Sequence, residues 1–253
     1  MCYVILSRIV SLSQLFLFPF DESKIYCNEK AKQEAFKLRA RAINRQITPW
    51  DTEQENQIKI SSLNVRSLNQ HSEDLQADHF LQKSDIICLT ETWLSDDLEN
   101  TGKYHSYYIN SGSKGVALFS VIPPVTVDKI SSNLASIIIA SYETFDLILV
   151  YRFSENSNVH EFTEEICNIL NLTKTVIICG DFNINLAKSP HNKYSQSLFD
   201  LGFIQIVNSP THILGGLIDH VYFYSSNMST CSLYKIYPVY YSDHDAISFF
   251  LQL

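Results

Sequence analysis

From Ile58 onward the chain reads as a layered domain of strands and helices, α/β or α+β in class. Short apolar runs rich in β-branched residues alternate with amphipathic or polar helical stretches, the pattern of sheets covered by helices. No internal repeat or low-complexity tract interrupts it, and Gly and Pro are sparse at 7 each. With 45% hydrophobic and 18% charged residues, the chain carries enough apolar material for a substantial core and too much for a disordered chain.

Taken in order, the strands are expected at 58–63 (IKISSL), 85–90 (DIICLT), 115–121 (GVALFSV), 136–141, 145–151 (FDLILVY), 175–179 (TVIIC), 218–224 (IDHVYFY) and 246–252. Helical patterns fall at about 70–83, 158–171 and 191–201. Residues 1–57 read as a separate leader: an apolar segment, YVILSRIVSLSQLFLFPF, then a basic helix over 24–45 that ends near Thr48-Pro49. The apolar segment carries Arg8 in its middle, has no basic stretch before it and shows no small-residue cleavage site, which argues against a signal peptide. It is also shorter than the roughly 20 clean apolar residues of a membrane-spanning helix, so no membrane partner is expected.

The net charge of −8 argues against nonspecific coating of nucleic acid, which rests on clustered Lys and Arg; it leaves room for an enzyme that meets phosphates through metal ions. Six cysteines show no metal-ligand spacing, and Cys88 and Cys179 lie within apolar runs, as expected of a reduced, intracellular protein.

The strand VIICGDFN ends in groups that a core would not bury alone, since an unpartnered carboxylate is costly out of water. The same ending recurs. Asn64 follows IKISSL, Glu91 follows DIICLT, Tyr151 and Arg152 close LILVYR, and Asp181 and Asn183 close VIICGDFN. Asp219 lies in GLIDHVYF, and Asp243 and His244 precede the last strand. Such endings put polar groups along one edge of a sheet, where loops form a cleft. Singly, each has a structural alternative: a helix cap for Glu91, an Asx turn for Asn183, a strand cap for Asp243, a core-edge ring for Tyr151, a hydrogen-bonded surface or core imidazole for His244.

Their joint order is more specific. LNVRSL (63–68), LTETWL (89–94), GVALF (115–119), VYR (150–152), GDFNIN (180–185), SPTH (209–212), LIDHVYF (217–223) and YSDHDAI (241–247) resemble the endonuclease/exonuclease/phosphatase superfamily. Within it, they resemble the apurinic-type endonuclease domain of non-LTR (LINE-like) retrotransposons. The resemblance spans 58–253 and implies a DNase I-like four-layer sandwich, two packed mixed β-sheets flanked by helices. It implies a Mg²⁺-dependent endonuclease that nicks DNA, with Mn²⁺ as an alternative ion. Asn64 and Glu91 would hold the cation, with Asp243 near it, so that the Glu91 and Asp243 oxygens converge. Asp181 would align or deprotonate the attacking water and Asn183 would bond a phosphoryl oxygen. His244, oriented by Asp219, would stabilise charge on the phosphate, and Tyr151 would bind it or protonate the leaving oxygen. Arg66, Arg152, Thr211 and His212 are candidates for contacting the DNA strand.

The departures bear on substrate. Phe153-Ser154 stands where the retrotransposon branch usually has two prolines, and the glycine-rich run before GVALF is thinned to Gly112-Ser113-Lys114-Gly115. Arg66 occupies a position where apurinic repair enzymes carry an acid, which argues against abasic-site repair. No polymerase follows Leu253 in this sequence, so a detached domain or a piece of a longer element is expected, with a reverse transcriptase encoded elsewhere as a partner and the nucleus as its place of action. Two rival readings remain. A phosphatase or phosphodiesterase on inositol or lipid phosphates would want a Lys/Arg cluster, which 58–253 lacks; a catalytically silent binding remnant would not need its motifs intact.

Overall fold

The computed structural model describes residues 57–94, 102–153, 158–225 and 229–252. The expected leader lies outside these residues apart from Gln57, which opens the first strand. Strand β1 (Gln57–Asn64) is followed by α1 (Leu68–Ala77), α2 (His79–Gln82), β2 (Ile86–Thr90), β3 (His105–Ile109), β4 (Val116–Ser120), β5 (Thr126–Ser131), β6 (Ala135–Ser141) and β7 (Phe145–Arg152). Then come α3 (Val159–Ile169), β8 (Thr175–Asp181), α4 (Lys193–Asp200), β9 (Ile204–Gln205), β10 (Asp219–Tyr224), β11 (Thr230–Pro238) and β12 (Asp245–Gln252). Two six-stranded mixed sheets result, in the orders β11-β12-β1-β2-β4-β3 and β5-β6-β7-β8-β10-β9. Each contains one parallel pair, β1 with β2 and β7 with β8, joined by a helical crossover.

Alternation along the strands builds the layers. Ile58 and Ile60 of β1, Ile86 and Cys88 of β2, and Val116 and Leu118 of β4 belong to the core shared with the second sheet. The intervening Leu63, Ile87, Leu89, Ala117 and Phe119 pack instead with Leu68 and Leu75 of α1 and Leu81 of α2. On the far side of the second sheet, Phe162 of α3 and Tyr194 of α4 pack around Phe182, Phe162 and Tyr222 meeting it edge-on and Tyr194 at a tilt. The four-layer arrangement is therefore the DNase I-like sandwich expected from the motifs.

The helix expected over 70–83 is two helices. Asp78, extended at φ −74° and ψ 96°, ends the first and caps the second by accepting from the Phe80 and Leu81 amides. A short carboxylate that satisfies helix-start N–H groups competes with helix continuation at its own position. Among the described residues no helix is long and apolar enough to cross a membrane.

Candidate active site

Register brings the polar strand ends together. Tyr151, Asp181 and Asp219 are direct partners across β7, β8 and β10, and in the facing sheet Asn64 pairs with Thr90, one residue before Glu91. The loops leaving β1 and β2 stay zipped beyond the strands, through Val65 N to Thr90 O, Ser67 N to Glu91 O and Leu68 N to Thr92 O. The backbone there is strained. Arg66, Ser67, Glu91, Trp93 and Asn183 all have positive φ, and they are the non-glycine positions among the described residues that do. A left-handed conformation costs an L-residue about 1–2 kcal/mol, so its confinement to this end of the sheets marks where packing imposes side-chain aim.

Asn64, nearly fully buried, donates from Nδ2 to Glu91 Oε1 at 3.0 Å and to Asp181 Oδ2 at 2.9 Å. Tyr151 OH also donates to Glu91 Oε1, at 3.0 Å. Burial, with the Glu91 and Asp181 carboxylates beside it, raises the phenol far above its usual range, so the ring stays protonated and orients Glu91. Asp181 is buried, its Oδ1 accepting from Asn183 N at 2.9 Å. It therefore forms the Asx turn that the sequence suggested for Asn183. Burial first, and the Asp219 charge second, push the Asp181 carboxyl up to about 7, against the lowering pull of His244 and its hydrogen bonds. Asp219 accepts His244 Nδ1 at 2.9 and 3.1 Å and Thr211 Oγ1 at 2.6 Å. Burial alone would lower the His244 imidazole, but Asp219, then Asp181 and Asp243, outweigh it and raise it to about 9. His244 is thus cationic at neutral pH.

Asp243 lies among basic side chains. Its near neighbours are the Arg66 guanidinium and the imidazoles of His212 at 3.5 Å and His244 at 4.0 Å, and no hydrogen bond joins it to Asn64 or Glu91. Arg66 stands between the two groups, its backbone N donating to Asn64 Oδ1 at 3.2 Å and its guanidinium pairing with Asp243. Of the four expected DNA contacts, burial corrects two, Arg152 and Thr211. Arg152 is fully buried, its guanidinium 5.7 Å from the Phe162 ring and donating to the Phe182 and Asn183 carbonyls. Because Tyr151 faces the cleft, the next residue of the strand must face the helices. Thr211 is fully buried as the clamp on Asp219. His212 takes the Leu214 amide on Nδ1 at 3.1 Å and lies edge-on to His244, and Arg66 is engaged by Asp243. Asn183 commits one amide hydrogen to Arg152 O at 2.6 Å and keeps the other. Sequence reading missed Ser242, whose hydroxyl donates to Asn64 O at 2.6 Å and accepts from His244 N at 3.1 Å, tying the last loop to β1. Its place beside Asp243-His244 in the S-D-H motif was the available signal.

The correction at Arg152 has a measurable consequence. Arg152→Met is expected to lower stability by about 2–4 kcal/mol, because two buried carbonyls lose their donor. DNA affinity of the folded protein should stay unchanged; chemical denaturation and a DNA titration on the same sample check both.

The donor set suits a hard divalent cation. Glu91 Oε1 is fixed by two donors, which aims the carboxylate, and Asp243 Oδ1 is a buried oxygen with no hydrogen-bond partner. Asp181, Asp219 and His244, and separately His212, Asp243 and His244, place possible ligand atoms within 4.8 Å of one another. Nδ1 of His212 is taken by the Leu214 amide and Nδ1 of His244 by Asp219, and a hard cation prefers oxygen to imidazole. The oxygens are the ligands on offer, which fits Mg²⁺ or Mn²⁺.

Two packed mixed sheets with carboxylates, a carboxamide and a carboxylate-held imidazole at one end are an arrangement suited to metal-assisted phosphoester hydrolysis. The sequence profile of the endonuclease/exonuclease/phosphatase family matches residues 61–244, and the chain belongs to that family. Among proteins of curated function, none matches the sequence. Solved structures share its fold. The 3′ phosphatase NExo from Neisseria, bound to a product DNA hairpin, is 21% identical over 76% of this chain and 98% of that one, with a TM-score of 0.61. An AP endonuclease from Archaeoglobus fulgidus is 18% identical over 76% and 98%, TM-score 0.59. The endonuclease domain of TRAS1, a telomere-specific non-LTR retrotransposon, is 14% identical over 78% and 99%, TM-score 0.56.

Proposed function

We propose that the chain is a magnesium-dependent DNA endonuclease that nicks one strand by attack of water on a phosphodiester, as the non-LTR retrotransposon domains it resembles would. One observation carries this reading: Asn64, Glu91, Asp181, Asp219 and His244, from five separate segments, converge at one end of the two sheets. When bound, a divalent cation with Glu91 and the Asn64 carboxamide oxygen among its ligands would polarise a phosphoryl oxygen and neutralise developing charge. The chain's own groups do the rest. Tyr151 holds Glu91 in place, and ionised Asp181 takes a proton from the attacking water. Cationic His244 turns Nε2 to a phosphoryl oxygen while Asp219, clamped by Thr211, keeps Nδ1 protonated. The free amide hydrogen of Asn183 serves the same phosphate. A reverse transcriptase encoded elsewhere and a nuclear place of action belong to the same reading.

Supercoiled plasmid tests it. Open circles should form with Mg²⁺, should vanish with EDTA, and should form about 10²–10³-fold more slowly with His244→Ala. A folded protein that ignores both metal and plasmid would instead be a silent remnant, and hydrolysis of inositol phosphates without nicking would make it a phosphatase.

A further inference from the structure

Two of the oxygens offered to a cation are reached by one residue, Arg66, whose charge the chemistry above does not use. Its backbone N takes one lone pair of Asn64 Oδ1 at 3.2 Å, and its guanidinium bonds Asp243 Oδ2. The chain bends sharply to allow both contacts. φ is 46° at Arg66 and 96° at Ser67, and the following amides are zipped to the loop after β2 through Ser67 N to Glu91 O and Leu68 N to Thr92 O. Asp243 is used unevenly as a result. Oδ2 faces Arg66, with His212 Nε2 at 3.5 Å, whereas Oδ1 is buried, has no hydrogen-bond partner and lies 4.0 Å from His244 Nε2. A buried carboxylate oxygen without a donor is uncommon and costly, and it is the kind of ligand a hard cation takes. The guanidinium also reaches into the cleft, where its charge opposes the upward push of burial, Glu91 and Asp181 on the Tyr151 phenol.

We propose that Arg66 is a built-in competitor of the divalent cation: it neutralises Asp243 until that carboxylate is recruited as a ligand, and so sets how much ion the protein needs. The inference rests on the reading of this cleft as one that takes a divalent cation, and adds how ion binding is controlled. Charge creates the competition. A guanidinium and a hard dication seek the same carboxylate and repel each other, so Arg66 must release Asp243 before that side chain can ligate. Exposure decides which of the pair moves. The Arg66 side chain is 49% exposed, and an ion pair so open to water is weak; Asp243 is 27% exposed, with Oδ1 buried, and is the fixed member. Lys114 offers a contrast near the same end. Its Nζ lies 4.3 Å from the centre of the Phe153 ring, itself 5.8 Å from Tyr151, and it touches no carboxylate of the cleft. Competition therefore belongs to the residue bonded to a ligand, and a cation merely in the neighbourhood lacks it.

Mn²⁺ binding to the full chain tests this without turnover. The readout is loss of the free-ion electron paramagnetic resonance signal, at about 0.15 M salt so that distant charges are screened. Arg66→Met should bind Mn²⁺ about fivefold more tightly than wild type, the gain expected from losing an exposed ion-pair competitor. Lys114→Met removes the same charge from a ring and should leave the affinity within about twofold. Asp243→Asn should bind more weakly than wild type, and in that background Arg66→Met should add nothing, because competitor and target act as one unit. An unchanged or weaker affinity in Arg66→Met, an equal gain in Lys114→Met, or an equal gain with and without the Asp243 carboxylate would overturn the proposal. Magnesium-dependent nicking by wild type with no effect of Arg66 on Mn²⁺ binding would strike this inference and leave the nuclease reading standing. The complete mutant cycle in a protein that leaves plasmid intact would do the reverse, and no Mn²⁺ binding by wild type or Arg66→Met would remove both.

Discussion

Asp181→Asn is expected to slow magnesium-dependent nicking by about 10³-fold while the protein stays folded. The side chain is buried, its two oxygens held at 2.9 Å by Asn64 Nδ2 and by Asn183 N. An amide fills the same space but cannot accept a proton, so orientation largely survives and base function does not. The wild-type rate should rise as pH passes about 7, where Asp181 ionises, and fall through about 9, where His244 loses its charge. The variant should lose the acid limb. A variant that nicks at the wild-type rate, or keeps that limb, would remove Asp181 from the chemistry.

The same shifts make the fold less stable as pH rises. Both groups have folded pKa values above their unfolded ones, so each contributes stability at low pH and loses it on the way up. Asp181 does so between 3.8 and about 7, and His244 between 6.5 and about 9. Buried His220, lowered to about 4, and Lys59, lowered to about 8, act the other way below pH 6.5 and above pH 8, so a melting temperature that falls between about pH 6.5 and 8 is the expected thermal record of this site.

Gly180→Ala is expected to prevent folding altogether. A Cβ at this position would stand 2.0 Å from the Val150 carbonyl oxygen, which belongs to backbone and cannot swing aside, and its φ of +133° is one that L side chains rarely adopt. The contact lies between β7 and β8, where Val150 pairs with Gly180, one step before Tyr151 meets Asp181. Separating the strands there would pull apart both the core and the row of Tyr151, Asp181 and Asp219. The expected result is expression as aggregate, with no cooperative melting in any soluble fraction; a soluble, cooperatively folded, active Gly180→Ala protein would contradict the close approach.

The interior of both sheets was legible in the letters. Every strand expected from the sequence is present, and each lies inside a sheet, where cover on both faces makes a continuous apolar run. Among the described residues the four that were missed are β3, β5, β9 and β11, and these are the four sheet edges. β5, TVDKIS, is exposed or half-buried throughout, and β9 is two residues long. Edge strands are selected for short length and charge, which erases the signal used to find them. The polar strand ends that meet at the candidate site were legible too, because a carboxylate ending an apolar strand is conspicuous where burial is costly. At Tyr151-Arg152 even the correction was available, since adjacent strand residues point to opposite faces.

What the sequence determined by itself is thus which segments form the two sheets and which polar groups end them, since hydrophobic burial and the cost of stranding a charge both act locally along the chain. The division of labour among those groups was decided only in three dimensions. Thr211 clamps Asp219, Arg66 and His212 engage Asp243, and Ser242 ties the last loop to Asn64. Each of these pairings joins residues whose separation in the chain carries no information about their distance; sheet register and packing set that distance, and a hydrogen bond exists only where they bring donor and acceptor within reach.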